Sequence, residues 1–419
     1  MDFLSYFDVE HNTLYMDGKK VIEIAERYGT PLILYSKKRI LENITAIRNA
    51  FQSSSHSIHF AVKSNFNPFI LSLMKENGVG ADVSNYNEAI LALRAGIKPD
   101  DIIASPNNMT REELLKIINL GIAVNFDDVS QMDLVKDHLP HTVSFRINPG
   151  IGKGEFTGIT TGGKGSKFGI PVSSALSAYR KAKNSGARRF GIHMMAGSNI
   201  LDPSFFKAST GIFFEVADKI SSEGDVEFEF LDVGGGFGVP YRDSDERLDL
   251  NTVAANIMEN FNKYQINGMF KGSKLILEPG RFLVADAGVL LAKVTNIKKY
   301  DKLIIGTDVS MNTLIRSPLY GATHPVLVVD KVGEKPVVNA DIVGQVCENT
   351  DVLRKDVMLP KLEYGDLLAF LNAGAYVTSM ASNYNMIPRP KEIMLDGNDE
   401  IMLRREDTLD DMLSQFIFP

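Results

Sequence analysis

Short apolar runs recur along the first two thirds of the chain, with helical stretches such as Arg111 to Asn119 and Val172 to Lys183 between them. The eight runs are Ile58 to Val62, Val79 to Val83, Ile102 to Ser105, Ala123 to Phe126, Val143 to Ile147, Phe190 to His193, Phe230 to Val233 and Leu275 to Leu277. Strands that alternate with helices favour a parallel sheet, and eight is the number that a closed (β/α)8 barrel needs.

The pattern differs at both ends of this region. Asn12 to Lys19 predicts a hairpin, Val21 to Tyr28 a helix and Leu32 to Tyr35 a strand. After Val289 only short strands separated by turns are predicted: Leu290 to Thr295, Leu303 to Gly306, Val326 to Val329, Val337 to Ile342, Leu367 to Leu371 and Glu392 to Leu395. We therefore expect an N-terminal segment (1–36) that partly joins the β domain, a barrel (37–283), and a mostly antiparallel β domain (284–419).

Composition narrows the classes of function. A net charge of −7 over 419 residues, with no basic face, argues against nucleic-acid binding, and 44% hydrophobic content is typical of a soluble globular chain without a membrane partner. The single cysteine excludes an internal disulfide. Met1 to Asp8 has neither the basic start nor the apolar core of a signal peptide, so we expect a cytoplasmic enzyme of small-molecule chemistry.

One lysine stands out because it follows the first barrel strand directly. Lys63 ends the run Ser57 to Val62, so the sheet would hold its base while its amine reaches over the strand ends. A desolvated lysine amine loses its proton more readily and can form a Schiff base with an aldehyde cofactor. The alternative is a surface lysine after an edge strand.

Three successive glycines follow the seventh strand. Gly234, Gly235 and Gly236 would let backbone amides approach a phosphate, and in a barrel the loops after the seventh and eighth strands often bind one. A simple tight turn is the alternative. A dinucleotide-binding fingerprint has a further glycine and the start of a helix where this chain has Val239 and Pro240. This difference argues against a nicotinamide dehydrogenase.

A phosphate cradle that faces a Schiff-base lysine describes pyridoxal 5'-phosphate, whose protonated ring acts as an electron sink. A carboxylate should then lie beside the ring nitrogen, and Glu278 after the eighth strand is the candidate. A salt bridge to nearby Arg281 is the alternative for this glutamate. No metal is expected.

Together these segments resemble the fold type III pyridoxal phosphate decarboxylases, and within them most of all the diaminopimelate decarboxylases. The resemblance covers nearly the whole chain and rests on Ala61 to Asn65, Ser166 to Gly169, Gly234 to Gly236, Glu278 to Arg281, Arg316 to Tyr320, Cys347 to Asp351, Gly374 to Tyr376 and Asn383 to Asn385. It implies a barrel followed by a β domain, and decarboxylation of an amino acid.

The resemblance also implies roles for individual residues. Lys63, Glu278 and Cys347 would be catalytic, with Cys347 protonating the carbanion that remains after carbon dioxide leaves. The cofactor would be bound by Lys63, Asp82, Ser198, Gly234, Gly235, Gly236, Glu278, Arg281 and Tyr376. The substrate would be bound by Arg281, Arg316, Tyr320, Glu348 and Tyr376. Because the cysteine segment of this family enters the neighbouring subunit's barrel, the resemblance implies a homodimer with shared active sites.

Free cysteines are more often small buried hydrophobes than acids. Glu348 and Asp351 flank Cys347 in a polar, turn-rich stretch, which predicts an accessible thiol.

The expected reaction converts meso-2,6-diaminopimelate to L-lysine and carbon dioxide. Arg316 favours this substrate, since a planar guanidinium suits a distal carboxylate that lysine and ornithine lack. Alternatives are a decarboxylase of another specialised amino acid (carrier-bound, a siderophore or antibiotic precursor, or of the lysine and ornithine type) and a non-enzymatic pyridoxal phosphate carrier.

The chain departs from the family at one motif. Where relatives have a histidine that stacks on the cofactor, within His-Ile-Gly-Ser-Gln, this chain has Met195 to Asn199. A methionine can cover an aromatic face but cannot titrate. His193 lies two residues earlier, on the same strand face, and is interpreted as a histidine of the barrel interior.

Overall fold

The structure is a computed structural model that describes residues 6–52, 55–155, 162–163, 165–265 and 270–419. The first five residues of the stretch for which we expect no signal peptide lie outside it. The chain folds into two compact units. The first, the β unit, comprises Met1–Ile44, Pro240–Glu246 and Leu283–Pro419, and the second, the barrel unit, comprises Thr45–Val239 and Arg247–Phe282.

The barrel unit contains eight parallel strands that close on themselves. In chain order they are His56–Ala61, Gly80–Val83, Ile102–Ala104, Ala123–Phe126, Val143–Asn148, Phe190–Met194, Phe228–Asp232 and Lys274–Leu277. Each pairs with its neighbours in sequence, and the eighth pairs with the first through Leu277 and Ile58. The predicted (β/α)8 barrel is confirmed, and the eight predicted strands match within a few residues.

Helices follow the strands where the sequence provides start signals. Thr110 and Glu113 form a capping box at Arg111–Ile118, and Asn67 and Asn85 cap the two helices before it. The helices of this region are Lys37–Ala50, Pro68–Glu76, Tyr86–Arg94, Arg111–Ile118, Val129–Leu134, Val172–Asn184, Pro203–Gly224, Leu250–Gln265 and Arg281–Val284, with 3₁₀ turns at Val62–Ser64 and Pro99–Asp101. Two-residue strands lie at Lys153–Gly154, Ile170–Pro171 and Gly197–Ser198.

The β unit is a mostly antiparallel sheet. Its strands are Leu32–Ser36, Gly288–Lys299, Leu303–Thr307, Val326–Val328, Val338–Val343, Val352–Leu359, Leu367–Phe370, Lys391–Asp396 and Asp399–Arg404. A small sheet of Asp8–Glu10, Thr13–Met16 and Lys19–Lys20 precedes the helix Val21–Tyr28, and Arg316–Tyr320 and Leu409–Leu413 are short helices. Further 3₁₀ turns lie at Thr378–Met380 and Tyr384–Met386.

The N-terminal strand is central to the β unit. Leu32–Ser36 is buried along its whole length and pairs with Gly288–Lys299 on one side and with Lys391–Asp396 on the other. Leu32 and Leu34 of this strand join one buried cluster with Val21, Ile24 and Ala25 of the helix Val21–Tyr28. A segment from the start of the chain therefore completes a sheet that is otherwise built from the end of the chain.

Two strands of the large sheet in this unit are absent from the sequence prediction. Val352–Leu359 includes exposed charged residues such as Lys355 and Asp356, and Asp399–Arg404 begins with two acidic residues. Both strands have mixed polar and apolar faces, so no continuous apolar run marks them. Among the described helices, none is both long and apolar enough to cross a membrane.

Candidate active site

Lys63 lies at the carboxyl end of the first barrel strand, as predicted. The strand His56–Ala61 passes directly into the turn Val62–Ser64, which carries Lys63. Its Nζ donates a hydrogen bond of 2.7 Å to Oδ2 of Asp82, which lies on the neighbouring strand and is buried, whereas the lysine side chain is 42% exposed. The Lys63 amine is therefore anchored at the barrel rim and accessible from outside the strand ends.

Burial raises the pKa of Asp82 above the ordinary aspartate value, and repulsion by Glu278 adds to this effect, while Lys63 opposes it. The ion pair offsets part of the cost of burying this carboxylate. The pKa of Asp82 therefore depends on the charge of Lys63.

The glycine run follows the seventh strand and packs against its neighbours so closely that side chains would collide. A Cβ on Gly235 would lie 2.1 Å from the carbonyl oxygen of Glu278, and one on Gly234 would lie 2.2 Å from that of Met194. Gly234 and Gly236 also have positive φ values, of 73° and 91°. No helix begins in residues 233–249, so backbone amides rather than a helix terminus are what the run offers to an anion.

A guanidinium and a hydroxyl adjoin this cradle. Arg281, which begins the helix after the eighth strand, is 6% exposed and donates from Nη2 to Oγ of Ser198 at 3.4 Å. Gly280 permits the close approach, because a Cβ there would lie 3.0 Å from the side chains of Ala61 and Ser64. The lysine turn and the start of the Arg281 helix are thus packed together.

Glu278 is buried at the end of the eighth strand and pairs with His193. Its Oε2 lies 3.2 Å from Nε2 of His193, which projects from the sixth strand and is 1% exposed. Burial would raise the pKa of Glu278, but attraction to His193, the hydrogen bond with His193 and attraction to Lys63 hold it below the ordinary value. The interpretation of His193 as a barrel-interior histidine is confirmed, and its partner is the carboxylate predicted to meet the cofactor.

Two of the three departures from the family motif, Met195 and Asn199, have structural partners. The half-buried Met195 accepts a hydrogen bond on Sδ from the N–H of Gly235 at 3.3 Å. Asn199 has φ of 54°, which asparagine tolerates, and its Oδ1 accepts from the N–H of Val239 at 2.9 Å. Met195 therefore ties the loop after the sixth strand to the glycine run, and Asn199 ties it to the segment just beyond that run.

These features fit a phosphate-bearing aldehyde cofactor. The barrel unit presents an accessible lysine amine, a glycine run with no room for side chains, a guanidinium beside a hydroxyl, and a carboxylate of lowered pKa. They come from the first, sixth, seventh and eighth strands, at the end of a barrel where active sites form.

In the β unit, the exposed Cys347 lies in a tight loop as an accessible thiol, as predicted. Its Sγ is 3.1 Å from Nδ2 of Asn385, and the hydroxyl of Tyr384 donates to Oε1 of Glu348 at 2.6 Å. The buried Asp351 holds the loop by accepting from the N–H of Val346 at 2.8 Å. Cys347 and Glu348 are thus presented together on an ordered surface loop.

Arg316 and Tyr320 lie one turn apart on the helix Arg316–Tyr320. Arg316 is 2% exposed, its guanidinium carbon lies 4.8 Å from the ring centroid of Tyr241, and Nη1 lies 3.0 Å from Nε2 of His324. Tyr376 is half-buried with φ of 58°, a costly conformation for a tyrosine. Such strain is characteristic of functional positions.

The site residues fall into three groups in each of the two units. The barrel unit brings together Lys63 with Asp82, Arg281 with Ser198, and the glycines with Glu278, whereas the β unit holds Cys347 beside Glu348 and, on separate elements, Arg316 with Tyr320, and Tyr376. The sequence prediction missed Asp232, His324, Tyr384 and Asn385 as partners of site residues. Tyr384 and Asn385 lie within a motif that carries the family resemblance, while nothing in the local pattern marks Asp232 or His324.

Comparisons with known proteins point in one direction. The sequence profile of the family described as "Pyridoxal-dependent decarboxylase, pyridoxal binding domain" matches residues 37–285. Diaminopimelate decarboxylase of Thermoplasma acidophilum is 42% identical over 94% of this chain and 95% of its own length. The Methanothermobacter thermautotrophicus enzyme of the same name is 36% identical over 97% and 96%.

A crystal structure of diaminopimelate decarboxylase from M. jannaschii in complex with L-lysine superimposes with a TM-score of 0.92 at 31% identity. The superposition covers 100% of this chain and 99% of that one.

Proposed function

Because the chain belongs to the family of pyridoxal-dependent decarboxylases, we propose that it removes carbon dioxide from an amino acid, converting meso-2,6-diaminopimelate to L-lysine. The observation that carries the proposal is the position of Lys63 at a strand end, in the same barrel rim as the glycine run and the buried Glu278. The relatives that are diaminopimelate decarboxylases match over nearly the whole chain, which supports the substrate as well as the chemistry.

Pyridoxal 5'-phosphate, when bound, supplies the electron sink that accepts the electrons of the bond to the departing carboxylate. Lys63 would hold its aldehyde carbon and Asp82 would pair with the lysine amine when that amine is charged. Its phosphate would be held by the amides of Gly234, Gly235 and Gly236 with Ser198, Arg281 and Tyr376.

Glu278 has one task in this arrangement, which is to hold a proton on the ring nitrogen. A buried carboxylate of lowered pKa is suited to it, because an anion in a site of low dielectric constant strongly favours a neighbouring cation. His193 fixes the orientation of this carboxylate through its 3.2 Å contact.

Substrate recognition is assigned to residues of the β unit together with Arg281. Arg316 and Tyr320 would bind carboxylate, Glu348 would bind the distal amine, and Tyr376 would complete the site. Cys347 would deliver the proton that replaces the carboxyl group. The exposed loop that carries Cys347 and Glu348 supports a role in a neighbouring subunit's site, so we propose a cytoplasmic homodimer with shared active sites.

The second candidate is a decarboxylase of another specialised amino acid. Met195 favours this candidate, because it contacts Gly235 of the glycine run and replaces the histidine of the family motif. A carrier without enzymatic activity is less well supported, since it leaves the Cys347 loop without a purpose.

The test is a substrate panel on purified protein that shows the cofactor's absorption band. Diaminopimelate, lysine, ornithine, arginine and a citryl-linked amino acid are compared at equal concentration by carbon dioxide release. We expect diaminopimelate to be turned over fastest. Faster turnover of any other substrate assigns the second candidate, and a band without carbon dioxide release from the panel contradicts the proposed enzyme.

A further inference from the structure

Beneath the rim of the barrel lies a buried cluster of three titratable side chains: His193, Asp232 and Glu278. They are 1%, 0% and 5% exposed, respectively. One side-chain ligand atom from each lies within 4.8 Å of the others. Asp232 ends the seventh strand, two residues before the glycine run begins at Gly234, and the proposed function assigns it no task.

In each of the two carboxyl groups, one oxygen accepts a hydrogen bond from a neighbour and the second oxygen remains for an interaction with the other carboxyl group. Glu278 accepts from His193 on Oε2, and Asp232 accepts from the N–H of Gly234 on Oδ1 at 2.9 Å. Asp232 Oδ2 and Glu278 Oε1 are both buried, and neither accepts a hydrogen bond from another group among the described residues. Two buried carboxyl groups so close together cannot both ionise at modest cost, so one of them retains a proton.

The surroundings decide which carboxyl group that is. Glu278 faces His193 and is attracted by Lys63, whereas Asp232 accepts a hydrogen bond from the backbone N–H of Gly234 and is repelled by both Glu278 and Asp82. The other charged or titratable groups that face the cluster are His59, Asp127 and Arg146. The proton is therefore better placed on Asp232.

We infer that Asp232 is the protonated member of a carboxyl pair and donates a hydrogen bond from Oδ2 to Oε1 of Glu278, which His193 holds from the opposite side. Asp232 and His193 are thus positioning residues that keep Glu278 ionised and fix its orientation. The assignment of the proton to Asp232 depends only on the geometry of the cluster. Its consequence for the cofactor rests on the proposed function. In agreement with the geometry, burial raises the pKa of Asp232 well above the ordinary value.

A divalent cation is the competing occupant, since a histidine and two carboxylates are ordinary metal ligands. The geometry favours the proton. Nε2 of His193 lies 3.2 Å from a carboxylate oxygen, a hydrogen-bond distance at which this nitrogen is already engaged.

The test uses infrared spectroscopy on the full-length protein, with and without cofactor. The wild-type protein is expected to show the carbonyl band of a neutral carboxylic acid at pH 7, and Asp232→Asn is expected to remove it. Asp137→Asn, at an exposed aspartate of the same unit, is the matched control and should leave the band in place. A band that survives in Asp232→Asn overturns the inference, and so does a stoichiometric metal ion that is lost in this variant.

A second measurement separates a protonated from an ionised Asp232. An asparagine keeps the oxygen that accepts from Gly234 and an amide that donates to Glu278, so it mimics the acid and not the carboxylate. We expect Asp232→Ala to weaken pyridoxal phosphate binding by about tenfold more than Asp232→Asn, the loss of one hydrogen bond to a charged group. Equal losses in two variants that unfold at similar temperatures contradict the inference.

The two proposals fail separately. A protein that shows the Asp232 band but no carbon dioxide release with any substrate removes the proposed function and leaves the proton on Asp232. An active decarboxylase that lacks the Asp232 band keeps the proposed function and overturns the inference that Asp232 is protonated.

Discussion

Nη1 of Arg316 lies 3.0 Å from Nε2 of His324, and both side chains are buried in the β unit. Since a guanidinium only donates, His324 must accept on Nε2 and carry its proton on Nδ1, which lies 2.8 Å from the carbonyl oxygen of Leu371. A neutral histidine thus orients the arginine that we assign to the substrate carboxylate.

His324→Leu should therefore raise KM for diaminopimelate by about tenfold or more, the effect of one lost hydrogen bond to a charged group, with a smaller change in kcat. His324→Gln, which can still accept a hydrogen bond, should recover part of the loss. The measurement is steady-state kinetics on variants whose melting temperatures match the wild type. An unchanged KM in His324→Leu would show that the histidine only supports the fold.

Arg316→Ala tests the distal carboxylate directly. Diaminopimelate has this group and lysine lacks it, so kcat/KM should fall at least about tenfold more for diaminopimelate than for lysine. Equal losses for both substrates would place Arg316 outside the substrate site.

Lys63 is expected to be the residue that binds the cofactor covalently. Borohydride reduction of the purified protein followed by peptide mapping should place the label on Lys63, and Lys63→Ala should abolish it. Lys274→Ala, at the opposite end of a barrel strand, is the control and should retain the label. A label on another lysine would contradict the assignment.

Glu278→Gln should bind cofactor but slow decarboxylation by at least about a hundredfold, because a neutral amide cannot hold the proton on the ring nitrogen. Glu229→Gln, near the opposite end of the seventh strand, is the control. The quantity to measure is the single-turnover rate, which separates chemistry from product release. A rate close to the wild type would assign Glu278 a structural role.

Shared active sites predict complementation between inactive variants. If Cys347 serves the neighbouring barrel, mixing Lys63→Ala with Cys347→Ala should restore about a quarter of the wild-type activity, since half the dimers are mixed and one of their two sites is intact. Each variant mixed with itself is the control. No recovery after confirmed subunit exchange would mean that each chain completes its own site.

The buried His59 predicts a pH dependence of stability. Burial in the first strand lowers its pKa from 6.5 to about 4. As the pH falls, His59 therefore becomes protonated near pH 6.5 in the unfolded chain and only near pH 4 in the folded protein. Its contribution to the free energy of unfolding is complete above pH 6.5 and falls by about 3 kcal/mol as the pH drops to 4.

His59→Gln should flatten the curve of unfolding free energy between pH 6.5 and 4, as measured by denaturant titration. His138→Gln, at an exposed histidine, is the control and should follow the wild type. Parallel curves for wild type and His59→Gln would contradict the assignment.

The features of this protein that depend on local pattern can be predicted from its sequence. The eight barrel strands follow from short apolar runs at regular spacing, and their closure follows from their number. The placement of Lys63, the glycine run and Glu278 at one rim also follows, because successive parallel strands all end on the same side of a barrel. Strands such as Val352–Leu359 are missed because exposed charges interrupt their apolar residues.

Which side chains meet depends on the three-dimensional packing. His193 and Glu278 are 85 residues apart in the chain, and nothing in either segment specifies the other. They come together with Asp232 because the sixth, seventh and eighth strands are neighbours in the closed sheet, and this register brings their side chains into one buried cluster. The charge of each group then depends on the other two, since the cost of burying a charge is set by the neighbours that the tertiary structure supplies.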